Sequence, residues 1–353
     1  MSNVVGVVGA GGISTFHFRA FEKLGTRVRV VCDLDRERAR PYVEKFGADF
    51  AESYEAVVQH PDVQAVVVLT SSPMHYEVAK AALLNGKHVV CEKTLTCSAA
   101  ESFELGRLAE DNGLILYTSY MKRFFPAVRT ARELMGRIGH VMSVYCRTYQ
   151  PAGADMHTGE VPEAHRPGPD GKSRLMHLTG GGVLVCGGSH VLDLLCFLVG
   201  EPTRLFGRRL LRDGSDADAM FHAIMDLPAG GVVHFEANWH PLDRIGYEGR
   251  GWDEGFEISG VNGRIVLQTP VWNQPLNNAA RLRHYDNAAK QWTEYAFDIV
   301  DPFLLAETFF QEQIALGEQG EQDRYTGYRV DELIETAWRS AAEDRPLDVA
   351  WRT

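Results

Sequence analysis

The feature that most constrains the fold is a regular alternation of apolar and amphipathic segments over the first 120 residues. Short apolar runs typical of strands are separated by helical patterns, and each helical pattern is followed by a glycine. The run VQAVVVLT is almost continuously apolar, as in a strand covered on both faces. The predicted strands are 3–9, 27–33, 63–70, 88–91 and 114–119, and the predicted helices are 14–24, 35–46, 75–85 and 98–112. Such alternation predicts an α/β fold with a doubly wound parallel sheet.

The pattern changes after about residue 125. A helix is predicted at 126–135, and alternating polar and apolar residues then dominate. Paired alternating runs predict three hairpins, at 221–239, 256–268 and 281–297. The second contains Asn262-Gly263, a pair suited to a primed two-residue turn. We therefore predict one domain over 1–122 and a second, α+β domain over 123–353 with a large, mostly antiparallel sheet, whose last helix packs back near the first domain.

Composition and charge argue against several classes of protein. The formal net charge of −11 disfavours nucleic-acid binding. The N-terminus has no basic region, and no run of about 18 apolar residues occurs, so we expect no signal peptide and no membrane association. The six cysteines are scattered without a C-x-x-C pair, which favours reduced thiols, a cytoplasmic location and no metal site.

A glycine-rich turn, GVVGAGGIS, follows the first predicted strand and opens a helix. Glycine lets a backbone approach a pyrophosphate, and a helix N-terminus favours its negative charge. Asp33 ends the next strand 33 − 11 = 22 residues after Gly11, where a carboxylate suits ribose hydroxyls. A 2′-phosphate would meet this carboxylate, so we predict NAD as the cofactor over NADP, although Arg36 and Arg38 lie near enough to weaken that preference. A tight turn with a surface aspartate is the alternative. The cofactor-binding candidates here are Gly9, Gly11, Gly12, Ile13 and Asp33.

A second feature is a pair of charges at the end of a buried strand. In VVCEKTLT, residues 89–96, an apolar run ends directly in Glu92 and Lys93, and charges at such a place need a partner or a task. Ligands of open parallel sheets lie beyond the carboxyl ends of the strands. There an ammonium can favour the alkoxide-like charge that develops as a hydroxyl is oxidised. Lys93 is thus a candidate to contact a cofactor or substrate, and an ion pair with a neighbouring carboxylate is the alternative.

Five blocks, in order along nearly the whole chain, resemble the Gfo/Idh/MocA family of sugar and polyol oxidoreductases. They are GVVGAGGIS, VLTSSPMHYEVAKAALLNGKHVVCEKTL, MKRFFPAVRTARELM, GGGVLVCGGSHVLDLLCFLVG and YRVDELIETAWRSAAEDRPLDV. The resemblance implies an N-terminal Rossmann domain, an NAD(P) cofactor, a carbohydrate-like substrate and assembly as a homodimer or homotetramer.

The resemblance also implies roles for individual residues. Lys93 matches the family's catalytic lysine. His190 matches the histidine that takes the hydroxyl proton, a task suited to a group whose pKa lies near neutrality; for His190 a core residue that only packs is the alternative. Further cofactor contacts are implied at Thr70, Ser72, His75 and Glu92, and substrate contacts at Met121, Lys122, Cys186 and Asp193.

Two positions depart from the family pattern. Cys186 stands where an aspartate is common, four residues before His190, and Thr94 replaces the proline after Lys93. A Lys–Asp–His arrangement is then incomplete, and we expect Cys186 to pack or to donate weakly, because nothing in the sequence marks a reactive thiolate.

Residues 151–179, rich in Pro, Gly and His, are predicted to form a long loop over the substrate. Within it His177, the charged or titratable residue closest to the glycine run, is a candidate substrate residue, and a solvated loop with incidental charges is the alternative.

Three functions are consistent with these residues. The first is a dehydrogenase acting on a secondary hydroxyl of a sugar, polyol or glycoside. The second is a redox-cycling enzyme that oxidises a sugar hydroxyl transiently, cleaves the glycoside and forms no net NADH. The third is a non-catalytic cofactor-binding sensor. Lys93 and His190 argue against the sensor, while Cys186 keeps it open.

Overall fold

The computed structural model of the chain describes residues 3–151, 160–274 and 276–352. Part of the predicted loop, 152–159, lies outside them. The chain divides into two compact units, one comprising Met1–Met121 and Pro302–Asp331, the other Lys122–Asp301 and Glu332–Thr353. The predicted domains, 1–122 and 123–353, stay a prediction; the first compact unit contains, in addition, a segment from late in the chain.

The described residues form ten α-helices and fifteen strands. The helices are α1 (Ser14–Leu24), α2 (Arg36–Phe46), α3 (Tyr54–Val58), α4 (His75–Leu84), α5 (Ala99–Asp111), α6 (Pro126–Ile138), α7 (Arg174–Thr179), α8 (Ser189–Leu198), α9 (Pro302–Leu316) and α10 (Thr326–Glu343). The strands are β1 (Val4–Val8), β2 (Arg27–Cys32), β3 (Asp49–Ala51), β4 (Ala65–Val68), β5 (His88–Cys91), β6 (Leu116–Thr118), β7 (Val141–Gln150), β8 (Arg204–Leu211), β9 (Asp218–Asp226), β10 (Val232–Trp239), β11 (Asp253–Gly260), β12 (Gly263–Gln268), β13 (Arg281–Asp286), β14 (Gln291–Tyr295) and β15 (Leu347–Asp348).

The first unit is built on a six-stranded parallel sheet in the order β3-β2-β1-β4-β5-β6. The strand order reverses at β1, so β1 and β4 leave a crevice at their carboxyl ends, where open α/β sheets bind ligands. The valines of β4, and those of β1 after Val4, are buried, as expected of strands with helices on both faces. The predicted α/β class with a doubly wound sheet is confirmed.

Helix α9 belongs to this first unit. Its Phe303 stacks on Phe16 of α1 with ring centroids 4.8 Å apart, and its Phe310 stacks on Tyr117 of β6 at 4.6 Å. The amide of Asn3 donates to the carbonyl of Gln311 at 2.6 Å. A helix more than 180 residues later in sequence therefore completes the core against α1 and β6.

The second unit is built on a nine-stranded sheet in the order β14-β13-β12-β11-β7-β10-β9-β8-β15. Neighbours are antiparallel except β7 and β10, which are parallel. Alternate residues of β7 are buried, so one face of this sheet carries the core. The predicted α+β domain with a mostly antiparallel sheet is confirmed.

Three local predictions need correction. The hairpin of β11 and β12 is present, but Gly260 pairs with Gly263, so its two loop residues are Val261 and Asn262 and the turn lies one residue earlier than predicted. The predicted loop 151–179 contains α7, whose N-cap Ser173 accepts from the Met176 amide at 3.2 Å. Ser173 is a local N-cap signal for this helix, but the Pro- and Gly-rich residues before it favour a loop.

A long apolar stretch, Arg174–Leu198, is the third correction. An 18-residue window within it has a mean hydropathy of 1.7 and could, by length and composition alone, cross a membrane, whereas no such run was expected. Since 83% of this window is buried inside the fold, it has the character of a core helix and is weak evidence for a membrane span.

Candidate functional site

The glycine turn between β1 and α1 has the shape of a phosphate cradle. Gly9 has φ +105, and a Cβ on it would lie 2.6 Å from the carbonyl carbon of Leu69, so only glycine fits there. At Gly11 and Gly12, by contrast, no heavy atom of the described residues beyond the adjacent chain lies within 4 Å of such a Cβ. No side chain of the described residues caps α1, whose N-cap is Ile13. This open space before an uncapped helix N-terminus fits the pyrophosphate of a dinucleotide.

Asp33, just after β2, is held against this turn. One carboxylate oxygen accepts from the Ala10 amide at 2.7 Å and the other from the Asp35 amide at 2.8 Å. Leu34, beside it, is fully exposed. The carboxylate is thereby fixed near the glycine turn, as the predicted ribose contact requires.

The residues after β4 and β5 are joined through His75. Its Nδ1 lies 2.7 Å from the carbonyl oxygen of Thr94, and its Nε2 lies 3.1 Å from that of Thr70. Burial lowers the pKa of His75. Ser72 is buried in a single helical turn just before α4. His75 thus fastens the segment that follows Lys93 to the end of β4, while the peptide bond between Lys93 and Thr94 is cis.

Glu92 faces the ring of His17. His17 is therefore the partner that the buried Glu92 carboxylate was expected to have. The Glu92 Oε1 atom lies 3.0 Å from Nε2 of His17, and the Oε1 atom of Glu307 lies 2.7 Å from Nδ1 of the same ring. His17 comes from α1 and Glu307 from α9. The sequence prediction did not include either residue.

In the second unit, a π-helical turn, Leu184–Gly188, leads directly into α8. The carboxylate of Asp218 accepts from the Leu184 amide at 2.9 Å and holds the start of this turn. His190 follows one residue into α8 and is buried. Cys186 is half-buried, with its Sγ 3.9 Å from the carbonyl oxygen of Gly181.

Asp193, predicted as a substrate residue, is bound by Arg123. The Arg123 Nε lies 3.0 Å and 2.9 Å from the two carboxylate oxygens, and Nη2 lies 2.6 Å from Oδ1. Both side chains are buried, and the guanidinium lies over the ring of Phe197, 4.9 Å from its centroid. The Asp193 carboxylate therefore anchors α8, and its role as a substrate contact stays a prediction.

Lys122, also predicted near the substrate, is 1% exposed and paired with the carboxylate of Glu254. The same Glu254 oxygen accepts from the Thr269 hydroxyl at 2.6 Å, and the Lys122 ammonium lies 5.2 Å from the Trp252 ring centroid. Burying such a pair is costly unless both charges are matched, as they are here. The substrate role of Lys122 also stays a prediction.

The remaining candidates lie apart from these clusters. His177, on α7, is half exposed and pairs with the exposed Asp170 at 2.8 Å. Met121 is buried in the first unit. The structure thus brings together Gly9, Gly11, Gly12, Ile13 and Asp33, and separately Thr70, His75, Glu92 and Lys93. Among the described residues, no group of three or more His, Cys, Asp and Glu side chains could hold a metal ion.

One signal could have revealed His17 from sequence. Ser14, His17, Phe18 and Phe21 are buried residues of α1 at helical spacing, so His17 is a titratable residue on an apolar face. Its partner Glu307 is 290 residues away and gives no local signal.

Comparison with known families decides what kind of protein this is. Residues 4–120 match the model of the oxidoreductase family with an NAD-binding Rossmann fold, and residues 128–266 match the model of the GFO/IDH/MocA C-terminal domain. The chain belongs to the Gfo/Idh/MocA family. It is an NAD(P)-dependent oxidoreductase, and the family predicted from the five sequence blocks is confirmed.

Relatives of this Gfo/Idh/MocA chain include named sugar dehydrogenases. D-xylose 1-dehydrogenase (NADP(+)) 2 of Haloferax volcanii is 26% identical over 341 residues, 95% of this chain and 96% of that protein. Levoglucosan dehydrogenase of Pseudarthrobacter phenanthrenivorans is 28% identical over 299 residues, 74% of this chain and 73% of that protein. A solved structure of levoglucosan dehydrogenase with NADH and levoglucosan has a TM-score of 0.83 and 22% identity, covering 99% of this chain and 100% of that one. That likeness shows the fold.

Proposed function

We propose that this protein is an NAD-dependent dehydrogenase that oxidises a secondary hydroxyl of a sugar, polyol or glycoside. The observation that carries the proposal is the carboxyl edge of the parallel sheet, where an open glycine cradle and Lys93 follow strands β1 and β5. The relatives named as D-xylose and levoglucosan dehydrogenases support a carbohydrate substrate.

In this mechanism the residues of the chain bind and orient the cofactor and the substrate, and one of them accepts a proton. NAD, when bound, supplies the hydride acceptor. The glycine turn and the N-terminus of α1 would hold its pyrophosphate, and Asp33 would accept hydrogen bonds from the ribose hydroxyls. The Lys93 ammonium hydrogen-bonds the reacting hydroxyl oxygen and stabilises its developing negative charge. His190 accepts the hydroxyl proton at a ring nitrogen.

Replacement of Lys93 and His190 tests this assignment. Lys93→Met and His190→Ala should each lower turnover by roughly 10²- to 10⁴-fold, because each removes a group that acts on the reacting hydroxyl. NADH formation would be followed with levoglucosan, D-xylose and inositol as probes, and cofactor binding by fluorescence titration should persist. Lys23→Met and His140→Ala, at exposed positions, are the matched controls. Full turnover in either test variant contradicts the assignment.

The preference for NAD over NADP is a further part of the proposal. It is supported by the fixed Asp33 carboxylate, which a 2′-phosphate would meet. Arg36 lies over the Phe50 ring at 5.0 Å, and Arg38 pairs with Asp35 at 3.3 Å, so both arginines have other partners.

Calorimetric titration with both cofactors tests the preference. Asp33→Asn should shift the affinity ratio toward NADP by about 10-fold, since roughly 1.4 kcal/mol of repulsion is relieved. Glu44→Gln, an exposed position on α2, is the matched control. Tighter binding of NADP by the unaltered protein would refute the preference.

Cys186 favours a second candidate, the redox-cycling glycoside-cleaving enzyme, because a thiol replaces the family's usual carboxylate beside the proton-accepting histidine. Release of nitrophenol from 4-nitrophenyl glycosides without net NADH formation would establish it. Net NADH formation from free sugars favours the dehydrogenase instead.

We also propose that the second unit mediates homo-oligomer formation. Along β7 the residues opposite the core, including Tyr145, Arg147 and Tyr149, are partly buried, and Ile224 on β9 is 51% exposed. Light scattering should give the mass of a dimer or tetramer, and Ile224→Glu should weaken this association. A concentration-independent monomer is the contrary result.

A further inference from the structure

The side chain of His17 is placed between two buried carboxylates of the first unit. It is 1% exposed, and each of its ring nitrogens lies within hydrogen-bond distance of a different carboxylate oxygen, at 2.7 Å from Glu307 and 3.0 Å from Glu92. Ionised carboxylates only accept hydrogen bonds, so both ring nitrogens must donate. A ring that donates at both nitrogens is an imidazolium. With both carboxylates ionised, this geometry favours a buried positive charge at His17.

The charges around the ring agree with this geometry. Burial alone lowers the pKa of His17, but the hydrogen bonds and charges of Glu307 and Glu92 raise it to about 9. Burial likewise opposes ionisation of Glu92, yet the hydrogen bond and charge of His17, together with the charge of Lys93, lower its pKa. Glu307 contributes its charge from α9, and Glu92 and Lys93 contribute theirs from the end of β5. His75, on α4, also feels the charges of Glu92 and Lys93.

Glu92 connects this cluster to the backbone of Lys93. Its own amide donates to the Val68 carbonyl at 2.9 Å, which continues the β4–β5 pairing. Its Oε1 faces His17, and its Oε2 accepts from the Lys93 amide at 3.1 Å. The two oxygens of one carboxylate thus join the His17 ring to the backbone of the next residue.

Aromatic packing fixes the His17 ring. Phe303 of α9 lies edge-on to it with centroids 5.6 Å apart, and Phe303 in turn stacks on Phe16 at 4.8 Å. The ring is therefore held by α1 and α9, and α1 is the helix that opens at the glycine turn.

We propose that His17 and Glu307 are positioning residues for Lys93, acting through the Glu92 carboxylate. The proposal rests on the proposed function of Lys93. The His17 imidazolium holds Glu92 in the orientation that accepts from the Lys93 amide. When the ring loses its proton it can donate to one carboxylate only, and one of the two hydrogen bonds is lost. The lysine backbone is then less well fixed, and a misplacement of about 1 Å costs roughly 100-fold in rate.

The first test titrates the cluster in the unaltered protein and uses one variant only for assignment. NMR of the protein labelled at histidine Cε1 would follow the His17 resonance, assigned by its loss in His17→Gln, from pH 6 to 10.5. The expected result is a protonated ring at pH 7.5 that titrates near pH 9. A ring that is neutral at pH 7.5 overturns the proposal.

The second test uses Glu307→Gln, with Glu312→Gln as the matched control at an exposed position of the same helix. We expect kcat to fall roughly 10- to 100-fold while the cofactor Kd changes less than about 3-fold. The pKa of His17 should fall, so the alkaline limb of the pH–kcat profile should move to lower pH. Glu312→Gln should leave kcat, the profile and the titration unchanged.

A merely structural role gives a different pattern. It predicts a lower melting temperature for Glu307→Gln with the alkaline limb of the profile unmoved, and that result overturns the inference. If Lys93→Met is inactive while Glu307→Gln has an unchanged kcat and profile, only the inference fails. If Lys93→Met keeps full turnover, the proposed function fails, whatever His17 does in the titration.

Discussion

The chain has two glycine-rich segments that each lead into a helix, and glycine serves opposite purposes in them. In the turn before α1, added Cβ atoms at Gly11 and Gly12 would enter open space. In the run before α8, an added Cβ at Gly182 would meet the backbone of Asp218, and one at Gly187 would meet the amide of Gln150. Beyond the tightly packed Gly9, the first segment keeps room for a ligand, and the second lets a helix approach a sheet. Similar sequence composition therefore conceals a binding element and a packing element.

The largest effect that would test this difference is expected at Gly182. Gly182→Ala should lower the free energy of unfolding by more than about 2 kcal/mol, because the obstructing Asp218 atoms are backbone and cannot move aside. Gly136→Ala is the matched control, since Gly136 lies within α6 and, apart from its chain neighbours and the backbone of its own helix, no heavy atom of the described residues is within 4 Å of its added Cβ. It should stabilise by roughly 0.5–1 kcal/mol. Urea denaturation measures the free energy of unfolding of both variants. Equal stabilities would contradict the assignment of Gly182 to close packing.

A smaller effect of a different kind is expected at Gly11. Gly11→Ala should change the free energy of unfolding by less than about 0.5 kcal/mol, since the methyl group meets no atom. It should weaken cofactor binding by at least about 10-fold, because the methyl fills the space of the pyrophosphate. Fluorescence titration with NAD and thermal denaturation on the same sample separate the two quantities. Unchanged affinity would mean that the open space is not a cradle.

Whether the role of a glycine-rich segment can be predicted from sequence depends on how far apart along the chain the interacting residues lie. The turn was predictable because Gly9, Gly11 and Asp33 lie within 25 residues and their spacing is set by one strand–helix–strand unit. The parallel sheet was predictable for the same reason, since each element repeats a local period. The run before α8 was recognised as a block, but its contacts with Asp218 and Gln150 depend on how the sheet folds over it.

Pairs of buried charges are also hard to predict from sequence when the two residues lie far apart along the chain. Lys122 and Glu254 are 132 residues apart, and His17 and Glu307 are 290 apart. Hydrophobic periodicity places a residue on a buried face, but it does not name the partner on another element. The charge at Glu92 signalled that a partner must exist, and only the structure identified it as His17.

The smallest effect is expected at Cys186, within the run before α8. Cys186→Ala should cost less than about 10-fold in turnover, because a neutral thiol handles protons poorly compared with a carboxylate. The glycoside and NADH assays together measure it. Loss of activity in this variant, with Lys93→Met still active, would instead indicate a thiol mechanism.

The assignment of α9 to the first unit has a consequence for synthesis on the ribosome. The first part of that unit ends at Met121 and the second begins at Pro302, a separation of 302 − 121 = 181 residues. At the usual rates of translation this interval takes roughly 10–40 s. During it α1 and β6 have emerged without the helix that covers Phe16 and Tyr117, and His17 has only one of its two carboxylates. The first unit therefore completes its core only after most of the second unit has been made, and until then those apolar side chains of α1 and β6 lack their partner helix.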